Sequence, residues 1–412
     1  MEGYFNVKAP PFNATGTGST NDSPKIQEAI KQAAVKGGVV FFPPGTYLID
    51  PVRPGSDRGI HVNAPVILAG TGPGVPFREG SNLLVTHTDH VPIWISGRGT
   101  VMRDLGIHHQ HPNLMSSSFK EAIRADADDI RLENIFLGNP TIGVICENRQ
   151  RLSINRLYGQ PLKTGVHLDA TRETTIDNVH FGPHWSTDPA VKNIISNQAT
   201  AIESYHNERP LFSNIATTGY HTAFLFGKKK DAPKEAITTN FQIMDSTISS
   251  GARGIVFDAP LIAGQDVDWD DISKPLNPLI TGQIANYVFQ GLSGASTETG
   301  IKVAAPGANI QATNVRIART GANAIRVSEG AVLHLDNVCV ESWNQSGQGF
   351  PAIEPVDGIM TLDGSRKSVG GESRIFVGFN RQFVLNDERG KRIEGKGTAW
   401  LADPVLPGIN AD

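Results

Sequence analysis

Apolar and polar residues alternate in short runs along most of the chain, and the runs recur at a period of about 22 residues. The register is clear from residue 122: Ala122–Ala127, Gly143–Asn148, Gly165–Ala170, Ala201–His206, Gly254–Ala259, Gly300–Ala305 and Ala324–Glu329. Each run opens on a small residue and then alternates apolar and polar positions, as a half-buried strand does. A second run follows in most periods and carries an Asn before a turn: Asn134, Asn155 and Asn178 each stand four residues before a Gly, and Asn214, Asn314 and Asn337 hold a similar place. These Asn residues are predicted to stack as a ladder that caps turns, which is a structural role.

Two strands and a turn per period predict stacked coils, an all-β solenoid in which each coil supplies a thin slice of core. The start of the chain differs. Ser23–Ala34 reads as an amphipathic helix with Ser23 as N-cap, Pro24 in the first turn and Ile26, Ile30, Ala33 and Ala34 on one face, ended by Gly37-Gly38. Laid over the open end of a coil stack, it would cover core and unpaired backbone. The expected fold is therefore a right-handed parallel β-helix with a short N-terminal capping helix. One domain spans 1–412: helix and opening strands to 50, coils over 51–380, a tail over 381–412. Three segments break the period, 187–200, 228–240 and 260–282, and are expected to be loops walling a groove.

Composition narrows the function. Aromatics are 7% and hydrophobic residues 39%, suited to an elongated core. A net charge of −4 argues against nucleic acid as a partner, and no apolar run is long enough to span a membrane. No signal peptide is visible at Met1–Phe5. Cys146 and Cys339, both in apolar strand patterns, read as buried thiols.

Alternation also says which side chains point out. The fifth position of successive first strands gives Asp126, Glu147, Asp169 and Tyr205; the third gives Arg124, Ile145, His167 and Glu203. With rungs about 4.8 Å apart, Asp126, Glu147 and Asp169 would stack in one column beside Glu203 and His167. Like charges so placed call for a split in pKa or a bound cation, and a carboxyl pair with split roles is what glycoside cleavage uses. A solvated polar face is the plainer reading of the same pattern. A second set is basic and aromatic: His184-Trp185, Tyr205-His206 and Tyr220-His221. Tyr205 with His206 would serve as base in a uronate lyase or epimerase, with Arg124 or Arg172 holding the acid sugar, and Trp185 would stack on a sugar ring or pack under the 187–200 loop.

Three weaker signals remain. His108-His109-Gln110-His111 reads as a polar turn rather than a metal tract. Asp266–Asp271 starts like a calcium loop but lacks the Gly and Glu of an EF-hand, leaving only an irregular Ca²⁺ site. Lys228–Lys230 reads as a solvated loop. No cofactor is required by any of these readings.

The opening segment resembles a known group. Gly16–Asp22, Ile26–Ile30 and Gly37–Tyr47, with Phe41-Phe42-Pro43-Pro44-Gly45-Thr46-Tyr47 at the end, are similar to the opening signature of the pectate-lyase-like superfamily. Thr17 and Asn21 stand where Asp is common. Beyond it, Gly159–Leu162, Gly165–Asp169, Asn178–Phe181 and Trp185 look similar to uncharacterised β-helix proteins of that superfamily. The resemblance implies a right-handed β-helix, a polysaccharide or oligosaccharide partner, a homotrimer, and a secreted or virion-associated setting. It carries no catalytic residue. The expected activity is a glycoside hydrolase or transglycosylase using Asp126, Glu147, Asp169 and Glu203. The alternatives are a uronate lyase or epimerase, and a non-catalytic glycan-binding or virion β-helix.

Overall fold

The computed structural model describes residues 3–53, 55–74, 79–111, 119–227, 238–258, 280–292, 297–305, 308–328, 331–348, 350, 353–356, 359–363, 375–378, 383–386, 392–395 and 398–401. The fold is a right-handed parallel β-helix, and the described residues divide into two compact units at Glu203/Ser204.

In the first unit the chain runs β1 (Tyr4–Asn6), β2 (Thr17–Asn21), α1 (Ser23–Lys36), β3 (Val39–Phe41), β4 (Gly45–Leu48), β5 (Arg58–Val62), β6 (Ile67–Ala69) and β7 (Ser81–Val85). It continues through β8 (Val91–Ile95), β9 (Val101–His109), β10 (Ile123–Ala125), β11 (Arg131–Gly138), β12 (Ile142–Glu147), β13 (Ser153–Gly159), β14 (Thr164–Asp169), β15 (Thr175–Phe181) and α2 (Pro189–Gln198). Every pairing among these strands is parallel. One sheet stacks β5, β8, β10, β12 and β14; the other ends in β9, β11, β13 and β15.

Parallel register makes a column of like residues from each coil. Ile60, Ile93, Ile123, Val144 and Val166 pair in sequence and are all fully buried. They face Leu132, Ile154 and Ile176, a matching column from the other sheet. Each such side chain contributes about 1.5–3 kcal/mol by leaving water, and the repetition of that gain holds the coils in register.

The helix α1 lies against β1, β3 and β5. Its cap differs from the sequence expectation: Asp22 takes the N-cap place and Ser23 is the first helical residue. Asp22 does not cap through its side chain. It accepts instead from Thr15 N at 2.7 Å and Gly16 N at 2.9 Å, tying the preceding loop. The turn ladder also shifts. Asp104, Asn134, Arg156 and Asn178 share one column, all with φ near +55° (59°, 53°, 58° and 55°). Asn155 falls one place earlier and donates to Asp177 at 2.9 Å, while Asn134 donates to Asp104 at 2.6 Å. Left-handed backbone, which Asn and Asp tolerate best, selects the column.

The break at 187–200 is not a loop. It folds as α2, with Pro189 in the first turn and the Asp188 carboxylate accepting from Ala190 N at 2.8 Å. Thr200 N then donates to Lys163 O at 2.8 Å, returning the chain to the register it left.

The second unit has its own aromatic core. Phe226 packs on Phe241 at 4.9 Å and stacks on Phe257 at 4.8 Å. Asn286 donates to Asp245 at 2.8 Å and Asn314 to Asn286 at 3.0 Å, continuing the turn ladder. Near the C-terminus, Ile375–Gly378 pairs antiparallel with Thr398–Leu401, and Phe383–Asn386 with Arg392–Gly395, so the expected tail contains strands. Lys228–Lys230 and Asp266–Asp271 lie outside the described residues. Both cysteines are free thiols; Cys146 is buried but Cys339 only partly so. No described helix is long and apolar enough to cross a membrane.

Candidate functional site

The outer face of the β5–β8–β10–β12–β14 sheet collects most of the predicted residues. Because Ile123 and Ala125 point into the core, Arg124 between them points out, and the same holds on each rung. The outward column runs His61, Trp94, Arg124, Ile145, His167. In the next column Glu147 pairs directly with Asp169. Asp126 stands one residue beyond β10, with its N–H donating to Ile95 O at 2.7 Å.

The carboxylates are interleaved with cations rather than stacked unrelieved. Asp126 accepts from Arg149 at 2.7 Å and from Trp94 Nε1 at 3.1 Å. Arg124 donates to the buried Glu121, and its NH1 lies 3.9 Å from Glu147 Oε2. Glu203, in the strand Thr200–Tyr205, accepts from Thr164 Oγ1 at 3.2 Å and holds His167 Nδ1 at 2.9 Å. His167 thereby turns Nε2 toward Glu147 Oε1, 3.8 Å away. Ligand atoms of Glu147, His167 and Asp169 all fall within 4.8 Å of one another, and Asp169 is only 9% exposed. Asp126, Glu203 and Glu147 each have cationic or histidine partners, and Glu147 and Asp169 are the carboxyls paired on adjacent rungs.

Sequence reasoning missed the N-terminal half of this face. Trp94 carries Arg58 over its ring at 4.2 Å and Arg124 at 5.2 Å. His61 Nε2 lies 2.7 Å from Ser96 Oγ, while its Nδ1 faces Arg58 NH1 at 3.4 Å. A guanidinium only donates, so Nδ1 accepts and Nε2 carries the proton given to Ser96. Burial and Arg58 lower the His61 pKa, in keeping with a neutral ring. That tautomer rules out His61 as base to a Ser96 nucleophile. The signal for this half was present: Gly59–Ala64 has the same shape as Gly165–Ala170.

Trp185 lies elsewhere. It packs on the other sheet's outer face with Phe136 at 5.5 Å, His180 at 5.6 Å and Tyr158 at 6.2 Å, and its backbone N–H donates to Gln160 Oε1 at 3.0 Å. Tyr205 and His206 belong to the second unit, where the Tyr205 ring covers Gly227 and His206 has φ of 56°. The His tract is structural among the described residues. His108 Nε2 meets Gly74 O at 3.0 Å and Asn82 at 3.1 Å, His109 is buried against Phe119, and His111 Nε2 meets Asn139 O at 2.6 Å.

Residues 4–81 match the sequence model of the family Rhamnogalacturonase A/epimerase, pectate lyase-like. Over nearly the whole length, the Dettilon tailspike protein (gp208) superposes with a TM-score of 0.58 at 12% identity, covering 97% of this chain and 77% of that one. The tailspike of E. coli bacteriophage HK620, solved with a hexasaccharide, gives a TM-score of 0.62 at 10% identity, covering 89% and 71%. The fold is shared with these tailspikes, and the opening segment is similar to the pectate-lyase-like family model. Within this fold, mannuronan C5-epimerase AlgE3 of Azotobacter vinelandii is 36% identical over 88 residues, 20% of the chain. That match spans only 5% of the epimerase. The outer face of this β-helix thus presents, in order along the stack, two arginines on a tryptophan and then an acid–histidine–acid group.

Proposed function

We propose that the chain cleaves glycosidic bonds of a polysaccharide or oligosaccharide, with Glu147 and Asp169 as the carboxyl pair. The observation that carries this is their pairing on adjacent rungs of β12 and β14, with the two carboxyls in the close range used for retention, roughly 5–5.5 Å. One carboxyl gives its proton to the leaving oxygen; the other attacks or stabilises the anomeric centre, and water completes hydrolysis. Glu203 and Thr164 fix His167 beside Glu147, and Arg124 steadies it from the other side. The tailspike solved with a hexasaccharide supports a glycan as partner.

A second reading is a uronate epimerase or lyase. The stretch that is similar to a mannuronan C5-epimerase favours it, as does a histidine with its Nδ1 anchored by a carboxylate. His167 would then take the proton next to the uronate carboxyl, and Arg124 would neutralise that carboxyl.

Product analysis on a panel of neutral and uronate glycans separates the two. Hydrolysis gives new reducing ends without the ultraviolet absorbance of an unsaturated uronate; a lyase gives both, and an epimerase gives neither but changes the sugar's NMR spectrum. Glu147→Gln and Asp169→Asn should each lower cleavage by at least about a hundredfold while the circular dichroism is kept. Full activity in either variant would refute the assignment of the pair.

A further inference from the structure

The geometry points to an anion-binding subsite built from Arg58, Trp94 and Arg124, which takes the carboxylate or sulfate group of a sugar neighbouring the one held at Glu147 and Asp169. It rests on the carbohydrate-processing reading above and gives that reading a substrate class, an acidic glycan.

Arg58 comes from β5, Trp94 from β8 and Arg124 from β10, three successive rungs. Both guanidinium carbons lie over the same indole, at 4.2 and 5.2 Å. Stacking of this kind removes rotamer freedom from two long side chains before any ligand arrives. The ring is itself anchored through Nε1 to Asp126. Each guanidinium is tethered at one edge: Arg58 Nε by Asp57 at 2.9 Å, Arg124 Nε by Glu121. NH1 of Arg58 faces His61 and NH1 of Arg124 faces Glu147, whereas NH2 of each makes no hydrogen bond among the described residues. The two side chains remain 32% and 31% exposed.

Two fixed guanidiniums, each with donors left over and both reached by solvent, suit an oxyanion with several acceptor oxygens. Neutral sugars do not need this arrangement. The Trp94 rung is two rungs from the Glu147 rung, about 10 Å at the usual parallel spacing. Arg124 NH1 lies 3.9 Å from Glu147 whereas Arg58 comes from the strand three rungs away, so an anion held on the Arg58 side of Trp94 sits on an adjoining sugar rather than on the one held at Glu147 and Asp169.

The test measures binding, not turnover. Full-length Glu147→Gln protein is titrated calorimetrically with an oligouronate, with a sulfated neutral oligosaccharide and with the unsubstituted oligosaccharide. At least one acidic glycan should bind at least about tenfold more tightly than the neutral one, with affinity falling as salt rises. Arg58→Gln and Arg124→Gln should each weaken that binding about tenfold. Arg58→Lys, which keeps the charge but loses the flat fork, should fall between, and it serves if the Gln variant misfolds. Binding of the oligouronate alone assigns a carboxylate; binding of the sulfated glycan alone assigns a sulfate. Equal affinity for all three, no binding in any arm, or undiminished acidic binding in the Arg58→Gln, Arg124→Gln double variant overturns the subsite. Chromatography of each glycan after the titration shows whether it was cleaved, so an error in the assignment of the catalytic pair is told apart from a failure of the subsite.

Discussion

Replacing Gly143 by Ala tests the rung contact on which the candidate site depends. Gly143 is the second residue of β12 and stands four residues before Glu147, on the same face of the strand. A Cβ there would meet the carbonyl oxygen of Gly165 well inside contact distance and Leu137 Cδ1 at 2.8 Å. The first obstacle is backbone of the neighbouring rung, so relief requires the β12–β14 spacing to open. Overpacking of this kind costs up to about 3 kcal/mol. The loss of glycine's freedom in the unfolded chain returns about 0.7 kcal/mol. The net expectation is a destabilisation of about 2 kcal/mol. Ala122 holds the equivalent place one rung earlier without difficulty, so the obstacle is local to Gly143. Urea titration followed by circular dichroism measures the loss, and turnover should fall as well, because Glu147 and Asp169 are carried on the two strands forced apart. An unchanged midpoint, with stability within about 0.5 kcal/mol of the parent, would refute the contact and with it the tight rung geometry of the pair.

Three further outcomes are expected. Burial lowers the His108 pKa to about 4, so the fold holds the ring neutral while the unfolded chain protonates near 6.5. Stability is intact above about pH 6.5 and is lost as pH falls toward about 4, on the order of 3 kcal/mol in all; urea midpoints across that window should flatten in His108→Asn, and an unchanged slope would assign the loss to other groups. Glu203→Gln removes the negative charge behind His167 Nδ1 and leaves one acceptor oxygen where Thr164 and His167 now use two, and should lower kcat by about ten- to a hundredfold with KM little changed and the pH profile displaced; a wild-type profile would show that His167 needs no charged anchor. Burial pushes the Cys146 thiol up to about 12, so alkylation at neutral pH should reach it only after unfolding, and rapid labelling of the native chain, read by peptide mass spectrometry, would contradict its place in the core.

Much of the fold was legible because a solenoid writes its register into the sequence. Alternation in β12 and β14 alone placed Glu147 opposite Asp169, since a parallel pair with equal coil lengths has no freedom to slip. The turn ladder was less legible: Asn155 matches the Asn-to-Gly spacing, yet Arg156 takes the left-handed position and Asn155 pairs with Asp177. Spacing counts residues, whereas backbone conformation decides the column. Trp94 and Arg58 went unread for a different reason. Pro92 and the short turns around β5 and β8 blur the period before residue 122, although Gly59–Ala64 keeps its form. Which sheet Trp185 lies on was not legible, because it closes a second strand and alternation in the first strands says nothing about such a residue.

Helix α2 has a consequence for how such a protein can change. The chain leaves its coil after β15, forms α2, and rejoins at Thr200 on the rung beside Lys163. The detour is self-contained, and closing a longer excursion costs only a slow logarithm of its length. The segment therefore behaves as an exchangeable cassette: another insert can stand between the same two anchor points and leave the pairing of β12 with β14 unaltered.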